Sequence, residues 1–144
     1  MKIERVKHVD ESLVADFKRL VPQLTGRDEY PSSEELKKVV DRDFVHLYVA
    51  KDNDVVIGTL TLVFIRIPTG IRVWIEDVIV DENARGEGVG TALIWHALQT
   101  ARINGVLKVD LFSNPKRVAA NNLYLKMGFK KRESNVYRYY INEM

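Results

Sequence analysis

Three glycines at alternate positions, Gly86, Gly88 and Gly90, separate an apolar run ending at Val80 from a helix-forming run that starts at once. Strand interiors and helices both disfavour glycine, so this spacing specifies a turn whose backbone is left-handed or closely approached. A strand that enters such a turn and leaves it as a helix makes an anion site. The first helical turn has unpaired N–H groups, the helix dipole puts partial positive charge there, and glycines keep Cβ atoms out of the way. Two known anion loops are excluded. No Gly-Lys-Ser/Thr follows, and for G-x-G-x-x-G the third glycine comes one residue early, with five residues (Asp81 to Arg85) between strand and loop. What remains is Arg85-Gly86-Glu87-Gly88-Val89-Gly90, of the form R/Q-x-x-G-x-G/A.

The rest of the chain predicts a mixed fold around that turn. "MKIERVKH" reads as a short strand, and "ESLVADFKRLV" as a helix with Leu13, Val14, Phe17, Leu20 and Val21 on one face, stopped by Pro22. Ser32 followed by Glu35 is a capping box that opens a second helix. "FVHLYVAKD", "VVIGTLTLVFIRI" and "IRVWIEDVIV" are rich in β-branched and aromatic residues. Turns at "KDND" and Pro68-Thr69-Gly70 join them into an antiparallel meander from about Phe44 to Val80. After the glycines, Ile94, Ala97, Leu98 and Ala101 line a helix that ends at Asn104-Gly105. "VLKVDLF" comes next as a strand, then a helix with Ala120, Leu123, Tyr124 and Met127 on one face, closed by Gly128. "FKKRESNVYRYYI" reads as a final hairpin turning near Glu133 to Asn135. The expected order is β-α-α-β-β-β-α-β-α-β-β, an α+β chain with a central mixed sheet flanked by helices and a parallel crossover after the meander.

Composition bounds the function. A chain of 144 residues is expected to be one domain. Basic and acidic side chains nearly balance, 22 against 20, too small an excess to suggest a nucleic-acid surface. With no cysteine there is no disulfide, thiolate metal site or cysteine nucleophile, and His8, His46 and His96 have no ligand spacing. The charged opening "MKIERVKHVDE" does not read as a signal peptide, and no apolar run reaches membrane-spanning length, so the expectation is a cytoplasmic protein without a membrane or metal partner.

The stretch Arg85 to Gly90 resembles the acetyl-CoA pyrophosphate loop of the GNAT superfamily of acyl-CoA N-acyltransferases. "IEDVIV" with "DENAR" is similar to that family's fourth strand and turn, and "RVAANNLYLKMGF" to its last-helix signature, A-x-x-x-Y-x-x-x-G-F, here Ala120, Tyr124, Gly128 and Phe129. The spacing between these motifs leaves room for one helix and one strand. The resemblance covers nearly the whole chain, strongest from Trp74 to Phe129 and weakest over the first 45 residues, where the family places acceptor specificity. It implies a single N-acetyltransferase domain over residues 1–144 that uses acetyl-CoA as cosubstrate.

Acyl transfer to an amine requires that the pyrophosphate be held, the thioester carbonyl polarised, a neutral amine delivered and the departing thiolate protonated. Backbone N–H groups of Arg85, Gly86, Gly88, Val89, Gly90 and Thr91 suit the first task. The resemblance implies that the fourth strand splays from the fifth, that pantetheine lies along Val78, Ile79 and Val80, and that an N–H near Ile79 or Val80 faces the carbonyl oxygen. Such a donor is worth about 3–4 kcal/mol of barrier. It implies Tyr124 as general acid, since a phenol can donate to a thiolate at little cost. The base is read at Glu76, with Asp77 or a water as alternatives, because several relatives carry a glutamate where this chain has Trp74. Both acids could instead pair with basic neighbours such as Arg72. Arg117 stands where many relatives have a cofactor-binding asparagine, so Asn114 and Asn121, or Asn122, are expected to take that contact. His46 and His96 read as packing or surface residues, and Tyr30, Arg66, Arg72 and Tyr137 as acceptor-pocket liners.

The expected acceptor is a small-molecule primary amine. The alternatives are a protein N-terminus or lysine and, from a different class, a CoA-binding regulatory module without turnover. Homodimerisation through the C-terminal hairpin, with Tyr137, Tyr139 and Tyr140, is a further expectation.

Overall fold

A computed structural model describes residues 1–142 of the chain. It divides into two compact units, Met1–Phe112 and a second from Ser113 onward. The first contains β1 (Lys2–Arg5), α1 (Glu11–Thr25), α2 (Ser33–Val40), β2 (Val45–Asp52), β3 (Val55–Ile67), β4 (Gly70–Val80), a one-turn 3-10 helix (Glu82–Ala84), α3 (Val89–Ile103) and β5 (Asp110–Leu111). The second contains α4 (Val118–Lys126). No helix among the described residues is long and apolar enough to cross a membrane.

The sheet runs β1-β2-β3-β4-β5, antiparallel except for the parallel β4–β5 pair, and the meander, the capping box and the parallel crossover are as expected. Asn53 and Asp54, both left-handed, make the tight turn between β2 and β3. Alternation along β2 sends its side chains to opposite faces. Leu47 and Val49 join Val56, Ile79 and the α1–α2 residues Leu13, Phe17, Leu20 and Leu36 in one core cluster. Tyr48 points the other way, where its hydroxyl donates to Thr100 on α3 at 3.2 Å. Helices therefore cover both faces.

Three expectations are corrected. Pro22 does not stop α1, which continues to Thr25 and is capped by Gly26. A proline inside a helix costs about 3 kcal/mol. Here Val21 and Leu24, in the same last turns, pack on the core cluster, and Gln23 Oε1 accepts the Glu82 N–H at 2.9 Å. Partial burial of two such side chains and one hydrogen bond together return roughly that amount.

The strand expected over "VLKVDLF" shrinks to Asp110–Leu111, which pair only with Trp74 and Ile75. The final hairpin does not form strands: residues 129–140 carry no regular structure. Four charged residues in succession, Lys130 to Glu133, leave the first arm without an apolar face, and a lone two-stranded hairpin is marginal in water. Tyr137 and Tyr139 are 87% and 86% exposed, so neither packs on a sheet.

Gly58, opposite Ala50 on the α3 face, marks where α3 lies closest to the sheet. A Cβ there would stand 2.9 Å from Val89 Cγ1, 3.1 Å from Leu93 Cδ1 and 3.1 Å from the Ile79 carbonyl oxygen. Gly58→Ala is expected to destabilise the chain by about 1–3 kcal/mol through overpacking. Urea denaturation at equilibrium checks this, and an unchanged midpoint would mean that α3 yields freely.

Candidate functional site

The site is built on β4 together with the turn, loop and helix that extend from its end. From Gly70 to Glu76 the strand pairs regularly with β3, and β5 lies on its other edge at Trp74 and Ile75. From Glu76 to Val80 no strand among the described residues pairs with that edge. The register with β3 also slips here: Thr61 is opposite Glu76 but Thr59 is opposite Ile79, so β4 holds one extra residue. Asp77, at φ 48°, is in the left-handed region, which a short polar side chain tolerates better than most. This is a β-bulge, and it re-aims the strand next to the open edge.

The bulge changes which residues share a face. Simple alternation puts Val78 beside Trp74 and Glu76. In the structure Thr59 and Thr61 share a face, so their partners Ile79 and Glu76 do as well, and Val78 does not. Glu76 and Asp77 form no ion pair with Arg72 or any other cation among the described residues. Partial burial, and then the adjacent Asp77 charge, raise the Glu76 pKa above the ordinary carboxylate value. Trp74 stacks on exposed Phe112, with ring centroids 4.8 Å apart and planes 19° from parallel, a contact absent from the sequence expectations.

Beyond Val80 the chain makes the 3-10 turn, passes Arg85 in extended conformation and reaches Gly86 and Gly88, both at φ 81°. A Cβ at either glycine would meet nothing within 4 Å, so backbone conformation, not crowding by the protein, calls for glycine there. Gly88 caps α3 without any side-chain bond, and the first bond of the helix is Ala92 N–H to Gly88 O at 3.0 Å. The N–H groups of Val89, Gly90 and Thr91 are therefore free of backbone acceptors, as an anion site requires. Arg85 folds back, its Nε 3.4 Å from the Val80 carbonyl oxygen.

The second unit carries the other expected residues. Tyr124 is buried in α4 and meets Phe129 edge to face at 5.9 Å. The turn at Gly128 brings this about, with the Phe129 N–H donating to the Tyr124 carbonyl at 3.0 Å. Burial raises the phenol pKa, against a smaller opposite pull from Arg117, so Tyr124 stays protonated at neutral pH. Asn114 and Asn121 are engaged locally. Asn121 Nδ2 donates to the Asn114 and Arg117 carbonyls, both at 2.9 Å, and Asn114 Oδ1 accepts the Lys116 N–H at 2.9 Å. Their amides brace the approach to α4, and Asn121 Oδ1 and Asn114 Nδ2 make no hydrogen bond among the described residues.

His46 and His96 pack as expected. His46 Nδ1 lies 3.0 Å from the Tyr48 hydroxyl, and the His96 ring stands edge-on to Tyr48 at 4.7 Å. Tyr30 is exposed with Lys18 Nζ 5.3 Å from its ring centroid, and Arg66, Arg72 and Tyr137 are exposed.

The sequence model of the Acetyltransferase (GNAT) family matches residues 9–129. The chain is 32% identical over 116 residues to N-alpha-acetyltransferase 30 of Schizosaccharomyces pombe, covering 76% of this chain and 77% of that protein. It is 42% identical over 59 residues to glucosamine 6-phosphate N-acetyltransferase of Trypanosoma brucei brucei, covering 41% of this chain and 38% of that one. Its fold is similar to the crystal structure of an aminoglycoside acetyltransferase from an uncultured soil metagenomic sample, with a TM-score of 0.85 and 24% identity over 99% of this chain and 96% of the other.

The raised pKa of Glu76 has a signed consequence for stability. The folded chain holds this proton more tightly than the unfolded one, so the contribution of Glu76 is complete below the ordinary glutamate pKa and is lost as pH rises through the folded value. Glu76→Gln is expected to raise Tm near pH 7 and to change it much less near pH 4. Thermal melts across that range check the sign, and a Tm lowered at neutral pH would contradict it.

Proposed function

The chain belongs to the acetyltransferase (GNAT) family, and from that premise we propose that it transfers an acetyl group from acetyl-CoA to a primary amine of a small molecule. The observation that carries this reading is the succession of two features: the open edge of β4 from Glu76 to Val80 leads, through the turn at Asp81 and the glycine loop, to the free N–H groups at the start of α3. Together they fit an extended ligand that ends in phosphates. Residues 1–144 act as one N-acetyltransferase domain in this reading, which the family match across both units supports.

The residues divide the work. Val89, Gly90 and Thr91 hold the pyrophosphate, with Gly86 and Gly88 giving the backbone its path. Val78, Ile79 and Val80 offer main-chain groups to the pantetheine arm, and a backbone N–H there stabilises the carbonyl oxygen as it gains charge. Acetyl-CoA, when bound, supplies the acetyl group as an activated thioester. Glu76, with its raised pKa, accepts a proton from the attacking amine, directly or through a water. Tyr124 gives its proton to the departing sulfur. The C–N bond forms by addition to the carbonyl and the C–S bond then breaks; Glu76 takes one proton from the amine, Tyr124 gives one to the sulfur, and exchange with solvent returns both groups to their starting states. Asn114 and Asn121 add contacts to the cosubstrate from the approach to α4.

A protein N-terminus is the second reading, favoured by the match over 76% of the chain to the N-alpha-acetyltransferase of Schizosaccharomyces pombe. The likeness to a glucosamine 6-phosphate N-acetyltransferase supports the small-molecule reading over a shorter span. Thiol release from acetyl-CoA, measured with a panel of amino sugars, polyamines and short peptides, separates the two. Turnover with amines and none with peptides is expected. Acetyl-CoA binding without thiol release on any acceptor would leave a regulatory module.

Tyr124→Phe removes only the hydroxyl. Acetyl-CoA should still bind, stability should shift by no more than about 1 kcal/mol, and kcat at saturating acetyl-CoA should fall roughly 10²–10⁴-fold. An unchanged kcat would remove Tyr124 from the mechanism.

A further inference from the structure

Asp81 stands where β4 ends, and it is buried, 6% exposed, one of two buried polar or charged residues among those described. A buried carboxylate must be fully satisfied or it destabilises the fold. Its side-chain partners come from α1. Arg19 Nε lies 3.1 Å from Oδ2, and Gln23 Nε2 lies 3.5 Å from Oδ1, which also accepts the Asn83 N–H at 3.3 Å. Arg19 uses a second nitrogen on the Val56 carbonyl, and Gln23 uses its oxygen on the Glu82 N–H at 2.9 Å. The Asp81 N–H donates to Ile57 O and the Ala84 N–H to Asp81 O, both at 2.8 Å.

The turn from Asp81 to Ala84 is thus tied to α1 through the Asp81 carboxylate and the Glu82 N–H, and to β3 through the Asp81 N–H, while the Asn83 and Ala84 N–H groups close the turn on Asp81 itself. Arg85 to Gly88 has no such support: the Arg85–Val80 contact is its single side-chain tie among the described residues. The aim of the N–H groups at Val89 to Thr91 is therefore set by α3 behind the loop and the Asp81 turn ahead of it.

We propose that Arg19 and Gln23 are positioning residues for the acyl-CoA loop, clamping its entry from helix α1. This rests on the reading of Arg85–Thr91 as the acetyl-CoA site. Neither residue touches the cosubstrate in this scheme; they hold the backbone that does. Arg19 suits the task because its guanidinium reaches a carboxylate and a carbonyl at once, which a lysine cannot do in the same geometry.

Three variants test it: Gln23→Met, Arg19→Met and Arg19→Lys. Gln23→Met leaves Arg19 on Asp81 and so stays informative if Arg19→Met fails to fold. The measurements are CoA affinity by calorimetry, kcat and KM for acetyl-CoA and for an accepted amine, Tm, and amide exchange over residues 82–91. For Gln23→Met we expect KM for acetyl-CoA and Kd for CoA to rise roughly three- to tenfold, about the worth of one hydrogen bond. Exchange over 82–91 should quicken, while kcat and the amine KM hold within about twofold. Arg19→Met should do more, and Arg19→Lys should recover part of the loss. Wild-type CoA binding together with unchanged affinity and exchange in folded variants would overturn the proposal and leave the cluster a structural tie, visible only in Tm. A wild-type chain that binds no CoA would remove the reading beneath it, an outcome distinct from the first.

Discussion

A strand hydrogen-bonded along both edges has no backbone left to offer a ligand, and the first unit solves this problem on β4. The parallel partner β5 stops after two residues, and at that point β4 admits an extra residue, with Asp77 in a left-handed conformation. One edge stays paired to β3, which keeps the strand in place, while the other is released. The bulge also turns Ile79 into the α1–α2 core, so the released segment is anchored by its own side chain. The loop beyond it inherits this arrangement. Gly86 and Gly88 meet no crowding and need only their dihedral angles, and the free N–H groups depend on β4 arriving at Asp81 in the right place.

What could be read in the sequence was local. The capping box at Ser32, the tight turn at Asn53-Asp54 and the glycine entry to α3 each lie within a few residues, where side-chain chemistry and backbone geometry are coupled directly. Pro22 misled because its cost is offset by Val21, Leu24 and Gln23, whose partners lie elsewhere in the chain. The bulge was hidden because alternation is the default for a strand, although two adjacent acids in mid-strand, one of them an aspartate, were a signal. Arg19 and Asp81 stand 62 positions apart, and no periodicity joins them. The C-terminal stretch alternates as a strand would, yet Tyr137 and Tyr139 are exposed and unpaired, because pattern alone supplies no partner strand.

The pKa directions fit this division. Asp81, though burial alone would raise it, is held below the ordinary value by the Asn83 N–H, Arg19 and Gln23, so it remains charged and its ties are lost only in strong acid. Glu76 is moved the other way by partial burial and by Asp77, which leaves it easier to protonate. Five positions apart, two carboxylates of one strand and its exit serve opposite ends, one fixing backbone and the other able to exchange a proton.

Helix α1 illustrates what such wiring means for descent with modification. Its apolar face is committed to the core through Leu13, Phe17 and Leu20, and two of its polar residues are committed to the turn after β4. The connection from Arg27 to Pro31 carries no such obligations: Arg27 and Glu29 bond to each other at the surface, and Tyr30 lies exposed. Drift in the first quarter of the chain is therefore partitioned. Changes in that connection can be sampled at little expense to the loop, whereas a substitution at Arg19 or Gln23 is felt at a backbone more than fifty residues downstream.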